Sequence, residues 1–224
     1  RLLTRLDNGV VVDMGGTTTD IAVLRNAHPC LSEDGAMIGR WQTRVPSINI
    51  MTSGIGGDSY IRGLANGTLE IGPTRAIPLC LASTEYPNIT EQLNYAFRKN
   101  KISSLIQYTD FFSMGNGSSE ISLEDSEKRI LEALSSGPCS LFELSEELRL
   151  VHPYLLRLER LEKLGLIRRI SLTPTDVLHA EGSFQFWDTE AARIGPDITA
   201  RKLNLDRKSF IKMVRNELTR KLSL

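Results

Sequence analysis

The chain of 224 residues is poor in cysteine, with Cys30, Cys80 and Cys139 far apart and no Cys-x-x-Cys motif. This spacing argues against a disulfide framework, and we expect three reduced thiols that serve mainly in packing. Aromatic residues are also scarce, at 6% of the chain. Function must therefore be sought outside cysteine chemistry.

An excess of either charge is absent as well, because 27 basic and 27 acidic side chains give a formal net charge of +0. A neutral chain is not built mainly to coat nucleic acid or an anionic membrane. No apolar run approaches transmembrane length, and no signal-peptide pattern is present. We expect a soluble, cytoplasmic protein without a membrane or a specific nucleic acid as partner.

The most informative segment covers residues 10–24, VVVDMGGTTTDIAVL. Two apolar, β-branched runs flank a glycine-threonine turn, which predicts a β-hairpin. Adjacent glycines let backbone N–H groups approach an anion, and threonine hydroxyls add donors. Asp13 is a candidate ligand of hydrated Mg²⁺. The segment predicts a site for the terminal phosphates of ATP, formed by Gly15, Gly16, Thr17 and Thr18. A tight hairpin whose glycines serve only the turn is the simpler alternative.

A second glycine-rich loop follows a predicted strand at residues 45–50 and reads Ser53-Gly-Ile-Gly-Gly-Asp-Ser59. A short strand at residues 69–71 then ends at Gly72-Pro73. Single residues nearby allow further interpretations. We expect Arg75 to form a surface salt bridge, although it could also bind a phosphate or a substrate carboxylate. We expect Asp20 to stabilise the turn rather than act as a catalyst.

Composition changes at residues 113–119, where glycine and serine predict a flexible linker. Beyond it, short apolar helices and a strand at residues 167–172 are typical of a winged helix. Its third helix is predicted to begin at Pro153 and end at Gly165, with leucines 155, 156, 158, 161 and 164 on the buried face. Mixed charges on this helix favour a docking role over DNA recognition.

Together these motifs resemble the A-type chains of the hydantoinase/oxoprolinase family, within the superfamily of actin-like, chaperone and sugar-kinase ATPases. The resemblance rests on residues 13–20, the loop ending at Ser59, Gly72-Pro73, and the segment from Leu172 to Asp176. It implies an α/β fold: a ribonuclease-H-like ATPase lobe with an inserted winged-helix subdomain. The predicted division is residues 1–118, 119–172 and 173–224, with the last segment returning to the lobe.

The resemblance also implies a function, namely ATP-dependent hydrolysis of a cyclic amide of the hydantoin or 5-oxoproline type, with ATP and Mg²⁺ as cofactors. Gly15, Gly16, Thr17 and Thr18 would line the phosphates, and Asp13 would be the catalytic metal ligand. Gly54, Gly56, Gly57 and Ser59 would lie near the nucleotide or substrate. Some relatives are ATP-dependent carboxylases. The alternative is a non-catalytic, sugar-kinase-like regulator whose winged helix contacts DNA or a partner.

Two departures from the family pattern bear on the substrate. Asp58 stands where relatives close to the characterised amidohydrolases have a third glycine, and residues 74–80 replace a glycine- and proline-rich segment. The chain begins with Arg1, and the first lobe's own hairpin is not in it. We therefore expect the second lobe of a larger ATPase, with a missing first lobe and a possible partner subunit.

Asp176 and His179, three residues apart, could form a metal or acid–base pair. The chain holds only three histidines, and no third ligand is evident nearby. We therefore expect a structural or helix-capping role for them.

Overall fold

The computed structural model describes residues 6–38, 41–98, 103–118 and 122–223. They form two compact units. The first contains the chain up to Gly57 and from Lys221 onward, and the second extends from Asp58 to Arg220. The boundary at Gly57 falls inside the second glycine loop. The three-part division expected from composition stays a prediction.

The first unit is built from short antiparallel strands. Its main sheet has the order β1-β2-β3, and β8 also pairs with β2, so that β2 is central. The strands β4 and β7 form a small separate ladder, as do β5 and β6. The strands are β1 Gly9–Met14, β2 Thr19–Arg25, β3 His28–Pro29, β4 Leu31–Ser32, β5 Met37–Ile38, β6 Trp41–Gln42, β7 Ser47–Ile48 and β8 Ile50–Ser53.

This unit has almost no apolar core of its own. Among its described side chains, Ile55 is the only buried hydrophobic one. Three consecutive valines of β1 are exposed, although successive side chains of a strand point to opposite faces. Val10 is 64% exposed and Val12 57%. Both faces of β1 are therefore apolar and uncovered.

The second unit is mixed α/β. Its strands are β9 Ser59–Gly63, β10 Leu69–Arg75, β11 Ile77–Pro78, β12 Phe111–Met114, β13 Cys139–Ser140 and β14 Ile167–Ser171. Its helices are α1 Leu79–Glu85, α2 Asn88–Arg98, α3 Asp125–Leu134, α4 Leu141–Glu147, α5 Glu159–Lys163, α6 Pro174–Glu181, α7 Thr189–Lys202 and α8 Arg207–Leu222, with a 3₁₀ turn at Pro153–Leu155. The sheet order is β11-β14-β12-β13, in which β11 is parallel to β14.

Capping boxes define where three of these helices begin. In α4, Ser140 accepts the N–H of Glu143 while Glu143 accepts the N–H of Ser140. Reciprocal bonds of this kind satisfy backbone donors that a helix start leaves unpaired. The same arrangement starts α3 and α6. The helices α3, α4 and α5 then bury a shared apolar cluster that includes Phe112, Ile130, Leu134, Leu144, Leu161 and Ile167.

The helical region differs from the predicted winged helix in its strands. β14 pairs antiparallel with β12, which precedes the three helices, and α6 begins at Pro174 directly after β14. The strand that pairs with β14 therefore precedes the three helices in sequence, whereas the two strands of a wing form a hairpin after them. The winged helix and the ribonuclease-H-like lobe stay predictions, whereas the mixed α/β class is confirmed.

The prediction of one continuous third helix was wrong. The backbone is extended at Leu156, which separates the 3₁₀ turn from α5. This break lets Leu156 and Leu158 enter the core together with Leu161. Leu155 remains exposed. Burial of three leucines outweighs the helix propensity of the segment.

The linker predicted at residues 113–119 was also wrong over its described part. Ser113 and Met114 belong to β12, and the N–H groups of Gly115 and Gly117 donate to Leu166 and Gly165 at 2.8 and 2.9 Å. A Cβ at Gly115 would lie 2.0 Å from the carbonyl oxygen of Gly165. The glycines serve close backbone packing, not flexibility.

Within the described ranges, no helix is long and apolar enough to cross a membrane.

Candidate phosphate-binding hairpin

The predicted hairpin is present. β1 and β2 pair in register from Gly9 opposite Leu24 to Met14 opposite Thr19. The four residues between them form the turn, which the N–H of Gly15 closes by donating to the carbonyl oxygen of Thr18 at 2.9 Å. Short strands rich in valine and isoleucine favour this geometry.

The turn leaves several donors unused. Among the described residues, no hydrogen bond engages the N–H groups of Gly16, Thr17 and Thr18 or the two threonine hydroxyls. The N–H of Gly15 is already bonded within the turn and is not available to a phosphate. The contribution of Gly15 is instead the absence of a side chain beside the neighbouring donors. An array of successive unpaired N–H and O–H donors suits a phosphate group.

The second glycine loop packs against this turn. The N–H of Gly57 donates to the carbonyl oxygen of Gly15 at 2.9 Å. A Cβ on Gly56 would lie 2.5 Å from backbone atoms of Gly15 and Gly16, which only glycine avoids. The structure therefore brings together four of the predicted site residues.

Thr19, the first residue of β2, also connects the hairpin to the second glycine loop. Its side chain is 0% exposed, and its hydroxyl donates to the carbonyl oxygen of Ile55 at 2.6 Å. Thr19 is therefore a structural residue, unlike the partly exposed Thr17 and Thr18 that precede it.

A row of polar side chains crosses the sheet beside the turn. Asp13 lies directly opposite Asp20 in the β1–β2 register, and Asp20 lies opposite Thr52 in the β2–β8 register. Residues paired in this way share one face of the sheet. The hydroxyl of Thr52 donates to Asp20 at 2.5 Å. Asp20 therefore lies on the same face of the sheet as Asp13 and accepts a hydrogen bond there, and its expected role as a stabilising acceptor and not a catalyst stays a prediction.

The pairing of Asp13 with Asp20 fits a cation. Like charges directly opposite each other in a sheet repel, and a divalent ion between them removes the repulsion. No group of three or more His, Cys, Asp or Glu side chains with metal-binding geometry occurs in the described part of the chain. Mg²⁺ is compatible with this, because it commonly keeps several waters and binds through one or two carboxylates.

Two predicted residues contribute less directly. Gly54 has nothing within 4 Å of the position of an added Cβ, so packing does not require glycine there. Ser59 belongs to the second unit, where it is buried at the start of β9 opposite Arg75. The assignment of both to a nucleotide or substrate site stays a prediction.

The side chains considered as alternatives have structural partners. Asp176 is buried and accepts the N–H groups of Leu79 and Cys80 at 3.2 and 2.8 Å, as well as that of Thr173 at 2.9 Å. Burial raises its pKa, and the bonds from Cys80 and Thr173 oppose that rise. The predicted capping role is confirmed.

His179 is also a structural residue. Its Nδ1 lies 2.8 Å from the carbonyl oxygen of Thr175, and its Nε2 accepts the N–H of Phe186 at 3.2 Å. Both ring nitrogens are therefore occupied within the fold, with the proton on Nδ1. Neither His179 nor Asp176 is available as a metal ligand.

The segment that contains these motifs is similar to known proteins. Residues 2–79 match the family Hydantoinase/oxoprolinase. A stretch of 71 residues is 37% identical to the alpha subunit of a caprolactamase from Pseudomonas jessenii, covering 32% of this chain and 10% of that protein. A nucleotide-free acetone carboxylase structure is 14% identical, with a TM-score of 0.47, over 95% of this chain and 20% of that chain. That structural likeness is too weak to support an argument about the fold.

The chain thus spans about a tenth of the length of this curated relative. The matched segment contains the hairpin, the second glycine loop and Gly72-Pro73, which are among the motifs that indicated the family. The predicted strand end at Gly72-Pro73 was wrong, because β10 continues through an irregularity to Arg75, which pairs with Ser59. Residues 2–79 are therefore similar to the hydantoinase/oxoprolinase family.

Proposed function

We propose that the intact protein is an ATP-dependent hydrolase of a cyclic amide, and that this chain contributes the contacts to phosphate and Mg²⁺. The observation that carries the proposal is the turn at Gly15–Thr18, whose unused donors lie beside the opposed carboxylates Asp13 and Asp20. The matched relative is a caprolactamase subunit, and caprolactam is a cyclic amide.

The proposed reaction does not require a nucleophile from the protein. An amide carbonyl is a poor electrophile, and transfer of the terminal phosphoryl group of ATP to its oxygen makes the carbon open to attack by water. The N–H groups of Gly16, Thr17 and Thr18 would bind phosphate oxygens and orient them for transfer. Asp13 and Asp20 would hold Mg²⁺, which when bound neutralises phosphate charge.

The uncovered sheet supports a larger catalytic assembly. Val10, Val11 and Val12 expose apolar surface on both faces of β1, and hydrophobic patches of this extent mark surfaces that another part of a protein covers. We propose that a first ATPase lobe of the same protein covers β1. The relative is itself named as a subunit, which supports a partner subunit for the whole enzyme.

The experiment measures ATP turnover by the intact protein with hydantoin, 5-oxoproline or caprolactam as substrate. Asp13→Ala should lower kcat more than about 100-fold while leaving the unfolding midpoint unchanged, because Asp13 is exposed at the strand end. Asp34→Ala, which removes an exposed carboxylate from a turn of the same unit, is the matched control.

A second pair of variants separates binding from folding. Thr17→Val should raise KM for ATP about tenfold without loss of stability, whereas Thr19→Val should cost about 1–2 kcal/mol of unfolding free energy. Unchanged turnover in Asp13→Ala would refute the phosphate site. ATP turnover that requires a ketone and bicarbonate, with no lactam opened, would replace the hydrolase by a carboxylase.

A further inference from the structure

The second unit contains a cavity of about 330 Å³ that the proposed ATP chemistry does not use. Its lining is divided in character. One part is polar, with Tyr60 and Gln107, the three cations Arg62, Arg169 and Lys202, and the two carboxylates Asp110 and Glu159; the other is apolar, with Leu105, Leu141, Tyr154 and Leu156. We call it the Lys202 cavity.

Lys202 is one of the residues that line this cavity. It is the last residue of α7, and its Nζ donates to Oε1 of Gln107 at 2.8 Å. The amide nitrogen of Gln107 donates to the carbonyl oxygen of Ile61 at 3.3 Å, which directs its oxygen towards the lysine. An ammonium group has three donors, and within the described chain only this one is engaged.

The charge of Lys202 is not neutralised by an ion pair with any described carboxylate. Asp110, the buried acid that interacts with it electrostatically, is already engaged by Tyr60, Ser171 and Arg169. Burial lowers the pKa of Lys202 to about 8; the charge of Asp110 opposes this shift, while that of Arg62 adds to it. A partly buried ammonium group that has one neutral hydrogen-bond acceptor and no ion pair is costly, which points to an anionic ligand.

We propose that the Lys202 cavity binds a small organic monocarboxylate. The carboxylate accepts hydrogen bonds from Nζ of Lys202, and the organic part packs against Leu105, Leu141 and Tyr154. The apolar half of the lining favours an organic acid over a bare inorganic anion. A volume of about 330 Å³ lies at the lower end of ligand pockets, which limits the ligand to a small molecule.

This site is independent of the hairpin and of the hydrolase proposal, because all its residues lie in the second unit. The binding test therefore succeeds or fails without reference to ATP turnover.

The experiment measures the rate at which an N-hydroxysuccinimide ester acylates individual lysines of the intact protein, resolved by peptide mass spectrometry. Butyrate at about 50 mM should slow acylation of Lys202 at least about fivefold at pH 7.5. Lys208, an exposed lysine on α8, is the internal control and should be unaffected. Inorganic phosphate at the same concentration should leave both rates unchanged.

Calorimetric titration with butyrate gives the second measurement. Lys202→Met should raise Kd at least tenfold, and Lys208→Met should leave it unchanged. Absence of protection by butyrate, or equal protection by phosphate, would overturn the proposal. Because the labelling comparison uses only the wild-type protein, it remains decisive even if Lys202→Met does not fold.

Discussion

Arg75 donates from Nη2 to Oδ2 of Asp58 at 2.8 Å. Asp58 directly precedes β9 and Arg75 is the last residue of β10, so the ion pair joins these two strands where they meet. The pair also lines a cavity of about 430 Å³ together with Thr74 and Ile77.

The coupling between Asp58 and Arg75 should be small. The side chain of Arg75 is 57% exposed, and solvent screens such pairs. A double-mutant cycle with Asp58→Ala and Arg75→Ala, followed by urea unfolding, should give about 0.5 kcal/mol of coupling free energy. That coupling free energy should decrease in 1 M salt, because the Debye length there is only about 3 Å and the interaction between exposed charges is screened. Coupling above about 2 kcal/mol would show that the pair is less solvated than its exposure indicates.

The two glycines Gly54 and Gly56 make a matched test of loop packing. Gly56→Ala places a methyl group 2.5 Å from backbone atoms of Gly15 and Gly16, which have no side chain to move aside. We expect it to lower the unfolding free energy by about 2 kcal/mol or more and to raise KM for ATP. Gly54→Ala meets nothing within 4 Å and should change stability by less than about 1 kcal/mol. Equal losses in the two variants would contradict the described contact between the loops.

Glu127 provides a test of pH dependence. Its carboxylate forms an ion pair with Arg160 and accepts the N–H of Glu124 at 2.9 Å, and these two interactions, in that order, lower its pKa. A carboxylate whose pKa falls on folding adds stability above its unfolded pKa, and this contribution disappears as pH decreases through the folded value. Glu127→Gln should therefore cost about 0.5–1 kcal/mol at pH 7.

The difference between wild type and Glu127→Gln should be constant from pH 8 to pH 5.5 and should narrow below the ordinary glutamate pKa of 4.5. Urea unfolding at several pH values measures it. Glu132→Gln, on an exposed position of the same helix, is the control and should show no such trend. A difference that widens in acid would contradict the assigned direction of the pKa.

Local patterns allowed the hairpin to be predicted. Valine-rich runs on either side of Gly15-Gly16 specify two strands, and a four-residue turn then places Asp13 opposite Asp20. That register follows from counting, so the position of Asp20 opposite Asp13 could have been found from the sequence. The capping role of Asp176 was also predictable, because Thr-Pro-x-Asp is a capping-box pattern.

Non-local contacts could not be predicted in the same way. The pairing of Asp58 with Arg75 depends on the β9–β10 ladder and on an irregularity between Ile71 and Arg75. The glycines at 115 and 117 suggested flexibility by composition, whereas their close approach to Gly165 involves a segment about fifty residues away. The extended backbone at Leu156 likewise results from packing of this leucine into the apolar cluster, and no local sequence signal indicates it.

The carboxylate of Asp176 begins two helices at once. It caps α6, of which it is a part, and accepts the first N–H groups of α1, 96 and 97 residues earlier in the chain. The first turns of α1 and α6 therefore depend on the same carboxylate as hydrogen-bond acceptor. Their amide protons should exchange with solvent in a single cooperative opening, so that two segments remote in sequence behave as one unit of local stability.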